Sequence, residues 1–381
     1  MKIQTTLFGE LVLLDQCTLV GSSESLGFQT YVNSSHNGTE KRKALRETAS
    51  QVLNIDYVVA RQAVAQNFNV LWGGLRKLWA IPVDVEWQRV GGVDGDFIEC
   101  EISIYDYRND SLALLKHQDG LAVVEIKEVL ANGLKLYEPI TLQSFTIRPL
   151  RVGFILGDVS APINAVYAQP SLQFQVMDAP YLQVPVPAQF LGHDIYFKRL
   201  LLEGNALNVT VLQHQTVVDF GLGPIDQHSN WLHARYGKPM RSVMKDQQAL
   251  FEYRQFLFRR LGQYRAFWLP TFERNFYVKS TGAISTVIDV ELNQYQEYAS
   301  NRKHIAIQDK SGNWTAHSIS NAVQTSNTLR LTITPGLNKA AVDIRMISYL
   351  GLHRLNNDSV DIQYKGAGIT ESSVAILEIE P

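Results

Sequence analysis

Two cysteines are present in 381 residues, Cys17 and Cys100, and neither lies in a CxxC pair. That is too few for a disulfide framework. No apolar run approaches the ~20 residues needed to cross a bilayer, so no membrane insertion is expected. The opening MKIQTTLFGELVLLDQ has one Lys and an apolar stretch broken by Gly9, Glu10 and Asp15, unlike a secretory signal. A soluble product of a reducing cytoplasm is therefore expected. Charge of either sign is scarce as an excess: 35 Lys plus Arg face 37 Asp plus Glu, a net charge of −2. Such a balance leaves no electrostatic footprint for a nucleic acid. With 45% hydrophobic and 19% charged residues, wholesale disorder is excluded too.

Chemical signatures are equally sparse. No GxSxG, HExxH, P-loop or complete EF-hand pattern occurs. The stretch Gly91 to Asp96 offers two carboxylates but lacks the spaced ligands of a calcium loop, and reads as a hairpin turn. His228 and His233 are five apart, while His304, His317 and His353 are scattered, so no converging zinc set is expected. Asn-x-Ser/Thr triplets begin at Asn33, Asn37, Asn109, Asn208, Asn313 and Asn357, and read as polar turns. The run Lys41-Arg42-Lys43 reads as a solvated loop. No catalytic residue, cofactor or metal is expected, and no enzyme.

What the chain does have is aromatic and β-branched residues: sixteen Tyr, sixteen Phe and six Trp, with many Val, Ile and Thr. Short alternating runs between Gly, Asn and Asp clusters predict a mainly β protein with a few helices (α+β). Leu53, Ile55, Tyr57 and Val59 alternate as a strand, and Val64, Phe68, Leu71 and Leu75 then recur at helical spacing. Gly73 and Gly74 are expected to stop that helix, since glycine tolerates the left-handed conformation at a C-terminus.

The pattern returns later in the chain. Asp246 is an expected N-cap, Leu250, Tyr253, Leu257 and Leu261 form the stripe, and Gly262 ends it. A separation of 188 residues carries Phe68 to Phe256, Gly74 to Gly262, Lys77 to Arg265, Trp79 to Phe267 and Pro82 to Pro270. Downstream, Leu112 matches Ile305 and Ile126 matches Ile319, at 193. Leu134 matches Leu329 at 195, Leu150 matches Ile344 at 194, and Phe174 matches Leu377 at 203. Such self-similarity predicts a tandem duplication, each copy a strand–helix–strand followed by a small antiparallel β-barrel or sandwich. The expected spans are an N-terminal arm or strands at 1–40, a first unit at 41–178, a β connector at 179–237 and a second unit at 238–381. The connector holds Pro180, Pro185 and Pro187, and its strands are candidates for the second copy's equivalent of the arm.

Two clusters carry an interaction reading. Arg254, Arg259, Arg260 and Arg265 crowd the second helix and its exit, where they line a ring interface, pair with carboxylates or form an exposed face. Trp79, Phe267, Trp268 and Phe272 raise a sugar-stacking platform, although their place beside Pro82 and Pro270 suits a core wedge better.

Three groups of residues carry a resemblance. They are Arg42 to Arg46 ahead of Trp79-Ala80-Ile81-Pro82, Gly237-Lys238-Pro239-Met240-Arg241 ahead of Phe267-Trp268-Leu269-Pro270, and the ending from Ile347 through Ile379. On them the chain resembles, over nearly its whole length, tail-tip structural proteins of long, non-contractile-tailed bacteriophages. The resemblance implies a virion component near the distal-tail ring or baseplate hub, made in the bacterial host cytoplasm. It implies partners among tail tube, hub, tip or fibre proteins, and a homo-oligomeric ring of three or six chains. A host-glycan-binding module of the tail tip is the alternative.

Overall fold

A computed structural model describes the chain except residues 17, 36, 179–185, 201–205, 220, 222, 230, 232–233, 300–301, 326, 367 and 381, and the side chain of Lys2. Cys17, His233, Pro180 and Pro185 thus lie outside the described residues. Strands take 56% of the chain and helices 11%, so this is a mainly β fold with few helices.

The first half opens with β1 (Lys2–Thr6), β2 (Gly9–Leu13) and β3 (Ser23–Gly27). A hairpin of β4 (Thr30–Ser34) and β5 (Glu40–Ala44) follows, then β6 (Ser50–Asp56), β7 (Val59–Ala60) and helix α1 (Val64–Gly74). Next come β8 (Leu78–Pro82), β9 (Gln88–Val90), β10 (Val93–Glu99), β11 (Ser111–His117) and β12 (Gly120–Leu130). The half closes with β13 (Gly133–Leu142), β14 (Phe145–Ser160), β15 (Tyr167–Ala168) and β16 (Ser171–Val176). Strand β14 is its spine. One end joins an antiparallel barrel in the order β9–β14–β11–β12–β13–β10. The other joins a sheet in the order β2–β8–β14–β16–β6–β3, with β2 and β8 parallel.

The second half opens with β17 (Gln189–Phe190), β18 (His193–Ile195), β19 (Thr210–Leu212) and the hairpin β20 (Gln215–Val218) and β21 (Asp226–Ser229). Then come β22 (Arg235–Met244), α2 (Gln247–Arg260), β23 (Phe267–Pro270), β24 (Ala283–Ile284), β25 (Val287–Glu291) and β26 (His304–Asp309). It ends with β27 (Trp314–Gln324), β28 (Thr328–Thr334), β29 (Lys339–Ala340), β30 (Ile344–Leu355), β31 (Ser359–Gly366) and β32 (Ile369–Glu378). Its pairings run in the same order. The barrel is β30–β26–β27–β28–β25, closed by the bridges Phe276–Ile347 and Val278–Val290. The sheet is β18–β23–β30–β32–β22–β19, again with its first pair parallel. Even the bulges agree, after Ile126 in β12 and after Ile319 in β27.

Burial follows the alternation. In β6 the inward residues are Gln51, Leu53 and Ile55, with Tyr57 just beyond. Leu53, Ile55 and Tyr57 pack under α1 with Trp79, Ile81, Phe174 and Val176. Asp246 caps α2 by accepting from the Ala249 N–H at 2.8 Å. The buried residues of α2 are Leu250, Tyr253, Arg254, Leu257 and Arg260, and those of α1 are Val64, Asn67, Leu71 and Gly74.

Those two stripes match at a separation of 186, not the expected 188. Gly74 therefore corresponds to Arg260 and Phe68 to Arg254. Gly74 is the last residue of α1, and Leu75 beyond it is still right-handed (φ −56°). What Gly74 supplies is room, since a Cβ there would stand 3.2 Å from Val12 Cγ2. Gly262 does take the left-handed form, at φ +67°.

Register also moves the downstream matches. Pro82 faces Leu150 and Pro270 faces Leu350, so Leu150 corresponds to Leu350 rather than Ile344. Pro149 and Tyr349 face Ala113 and Ile305, which shifts the Leu112 match by one residue. Leu136 faces Ile126 and Ile333 faces Ile319, so Leu134 corresponds to Leu331 rather than Leu329. Ile155 faces Phe174 and Leu355 faces Ile376, which takes Phe174 to Ile376. A single-residue slip turns every side chain of a strand to its other face, which sequence likeness alone does not penalise.

The boundaries differ as well. Strand β5 crosses the one expected at 40/41, and β22 crosses that at 237/238. Lys41, Arg42 and Lys43 belong to the β4–β5 hairpin rather than a loop. Gly91 and Gly92 link β9 to β10, which pair with β14 and β13 rather than with each other, while Asp94 and Asp96 lie within β10.

The halves are joined by strand pairing. β3 pairs with β6 on one side and with β31 of the second half on the other, giving one sheet across the junction. Leu26, Phe28 and Ala49 enter the core beneath α2. Gly262 sits at this seam: a Cβ would come 2.2 Å from Asp358 Oδ1 and 2.9 Å from Phe28 Cβ. Gly262→Ala should lower unfolding free energy by about 2–4 kcal/mol, from left-handed strain plus overpacking. Gly73→Ala, with open space around it, should be neutral or slightly stabilising. Urea unfolding of both variants checks the pair.

Candidate functional site

The densest polar chemistry lies along the junction and is buried. Arg254 of α2 reaches Glu24 of β3 at 2.5 Å and also bonds Glu86. Both carboxylates come from the first half. Gln51 donates to Glu24 at 2.8 Å, Tyr364 donates to Glu24 at 3.1 Å, and the Asp106 N–H donates to Glu86 at 2.9 Å. Burial works against the Arg254 charge, but Glu24 and Glu86 outweigh it and hold its pKa well above the ordinary value.

A second knot surrounds Asp106, whose carboxylate accepts from Arg108 at 2.7 Å and lies 2.8 Å from the Arg151 guanidinium, which donates to the Asp106 carbonyl at 2.6 Å. Burial tends to raise its pKa, yet Arg151 and Arg108 together drive it well below the usual range. A third holds Glu40 of β5 between Arg235 at 2.8 Å and Arg354 at 2.8 Å. Burial is again outweighed by those arginines, and the Glu40 pKa is lowered. Arg259 and Arg260 both bond Asp194 of β18. The crowd of arginines on α2 is thus mostly turned inward onto carboxylates. Arg265 remains exposed, 5.9 Å from the Tyr264 ring.

This arrangement holds charge rather than moving it. Glu24 and Glu86 are fully buried, so neither offers a solvent-reachable general acid. Among the described residues no group of three His, Cys, Asp or Glu is placed to hold a metal. Burial pushes the Cys100 thiol up to about 12, away from thiolate chemistry. Burial and Lys238 push His353 down to about 3, which keeps it neutral.

A hollow of about 690 Å³ lies beside α2. Its walls include Phe197, Phe256, Arg259 and Trp314, with Phe197 and Trp314 stacked at 5.7 Å and 11°. Phe272 closes on Trp314 edge-to-face at 5.7 Å.

The sequence matches no family model and no curated protein.

Trp79 and Trp268 are buried, 0% and 1% exposed, so they offer no platform to a sugar. Trp79 donates to the Gly74 carbonyl at 2.9 Å and Trp268 to the Phe190 carbonyl at 2.7 Å. Pro82 and Pro270 end β8 and β23, in line with Trp79 and Phe267. Lys77 pairs with Glu10 at 3.2 Å. These residues build core and strand ends and gather no common site. Trp72, by contrast, is 86% exposed on α1, and Trp87 is 55% exposed. Trp72 follows Val70 and Leu71, so in the sequence it reads as core; Trp87 stands between Glu86 and Gln88, with no periodic signal around it.

Proposed function

We propose that this chain is a structural component of a phage tail tip, a duplicated building block that joins the tail tube to the distal apparatus. The supporting observation is the seam. Two barrel-bearing halves share one sheet through β3 and β31, and buried ion pairs lock them. A rigid body with two like halves suits a load-bearing ring better than a catalyst or a flexible binder. Three chains would set six such halves around a tail axis, and six chains would form a collar. Ring closure requires that one face of the chain meet a different face on its neighbour.

Antibody labelling of intact virions of the encoding phage, viewed by electron microscopy, tests the placement. Label at the distal tail is the expected result, and virions free of the protein would overturn the reading. Native mass spectrometry of the assembled protein should return three copies, with six pointing to the collar arrangement.

A further inference from the structure

We propose that the β20–β21 hairpin of one chain docks on the first half of a second copy, at Trp72, Leu75 and Phe154, as β4–β5 docks within the chain. The inference deepens the ring reading above and rests on it for biological setting.

The two hairpins correspond residue by residue. Ser25 faces Val52 in β3–β6, and Thr210 faces Gly237 in β19–β22. Thr30 faces Ala44 in the first hairpin, and Gln215 faces Ser229 in the second. The separation is 185 throughout, which takes Phe28 to Gln213, Gly38 to Gly223 and Glu40 to Ile225.

The first hairpin has a seat. Phe28 meets Phe258 of α2 edge-to-face at 6.0 Å. Thr30 donates to the Leu261 carbonyl at 3.1 Å, and Glu40 accepts from Arg354 and Arg235. Gly38 packs so closely that a Cβ would stand 3.1 Å from Trp231. The second hairpin forms a two-stranded ribbon of its own, with β21 exposed throughout. Val211, Val217 and Ile225 are 56%, 55% and 65% exposed.

The first half presents the matching seat, open among the described residues. By the helix register Phe258 corresponds to Trp72 and Leu261 to Leu75. Gly153 faces both Trp79 and Val176, as His353 faces both Phe267 and Glu378, so Arg354 corresponds to Phe154. Trp72, Leu75 and Phe154 are 86%, 36% and 43% exposed. Arg235 and Trp231 correspond to Ser50 and Arg46, which line an open hollow of about 230 Å³ with Met177.

The chemistry has changed on both sides together. Within the chain, a glutamate meets two arginines; at the open pair, Ile225 would meet Phe154 and Ser50. An isoleucine placed against Arg354 and Arg235 would strand their charges, so the two hairpins cannot exchange seats. Among the described residues, each chain thus has one hairpin seated and one offered, with one seat filled and one empty. That is a head-to-tail, self-propagating contact.

A bis-maleimide reagent tests it on chains carrying Cys17→Ser and Cys100→Ser. Chains with Ile225→Cys and chains with Phe154→Cys are mixed, assembled and treated, and virions carrying both are treated in parallel. Two-chain adducts in the mixture, with at least about tenfold less from either chain alone, are expected. No adduct in either setting, from protein that is assembled by native mass spectrometry, would overturn the contact. Trp72→Glu with Phe154→Glu should weaken assembly at least about tenfold at an unchanged melting temperature. Assembly at wild-type strength in that variant would also overturn it. Adducts from protein absent from virions would sustain this contact and end the tail-tip reading; labelled tail tips without adducts would do the reverse.

Discussion

Arg254→Met should cost about 3–5 kcal/mol of unfolding free energy, the usual range for breaking a buried ion pair from one side. The guanidinium and both carboxylates are almost wholly out of water, at 3%, 1% and 1% side-chain exposure. Removing it leaves two charges in a place where one positive group had compensated them. Methionine keeps much of the volume, so a cavity adds little. The discriminating variant is the triple Arg254→Met, Glu24→Gln, Glu86→Gln. It removes all three charges, and should recover most of the loss, because neutral amides tolerate burial when hydrogen-bonded. Gln51 and Tyr364 remain to serve position 24, and the Asp106 N–H to serve position 86. Urea unfolding of the three proteins decides it. A loss under about 1 kcal/mol in the single variant would mean that β3–β31 pairing, not the ion cluster, holds the halves together.

The origin of that cluster shows what a sequence can carry. Strand β6 is legible from Leu53, Ile55 and Tyr57, because alternation is a local signal and burial on one face enforces it. Helix α2 is legible from its stripe and its Asp246 cap for the same reason. Nothing local connects positions 24, 86 and 254. Arg254 sits on the buried stripe of α2, where Phe68 stands on α1, and only its partners make burial tolerable. The same limit applies to Trp72. Beside Leu71 it continues an apolar run, yet the helix turns Leu71 inward and Trp72 out. The recurrence of helix, aromatic strand and proline was visible at 188. The insertions that move the true register to 185, 186, 192 or 200 fall in turns, where similarity fades. Strand register had to come from hydrogen-bonded partners.

Acid should weaken this protein in two stages. His353 is buried beside Lys238, and its pKa is pushed down to about 3, against an unfolded value near 6.5. The unfolded chain therefore takes a proton below pH ~6.5 that the folded chain refuses. Stability from this group is complete above that pH and falls with acid by up to ~1.4 kcal/mol per pH unit. The second stage belongs to carboxylates. Asp106, Asp194 and Glu40 all have lowered folded values, since their arginine partners outweigh burial. Their contribution is present above their unfolded values near pH 4 and is lost as pH falls through that range. A salt-bridged carboxylate of this kind contributes on the order of 2 kcal/mol at neutral pH. Urea midpoints at pH 7.5, 5 and 3 should thus fall steadily, not abruptly at the lowest pH. His353→Gln should flatten the interval from 7.5 to 5 and leave the acid limb. Asp106→Asn should instead be weaker at pH 7.5, with Arg108 and Arg151 short of a partner, and lose less between 5 and 3. A wild-type midpoint that holds from pH 7.5 to 3 would show that these buried charges contribute no net pH-dependent stability. Because Glu40 seats the β4–β5 hairpin on Arg235 and Arg354, the acid limb also loosens this contact between the halves.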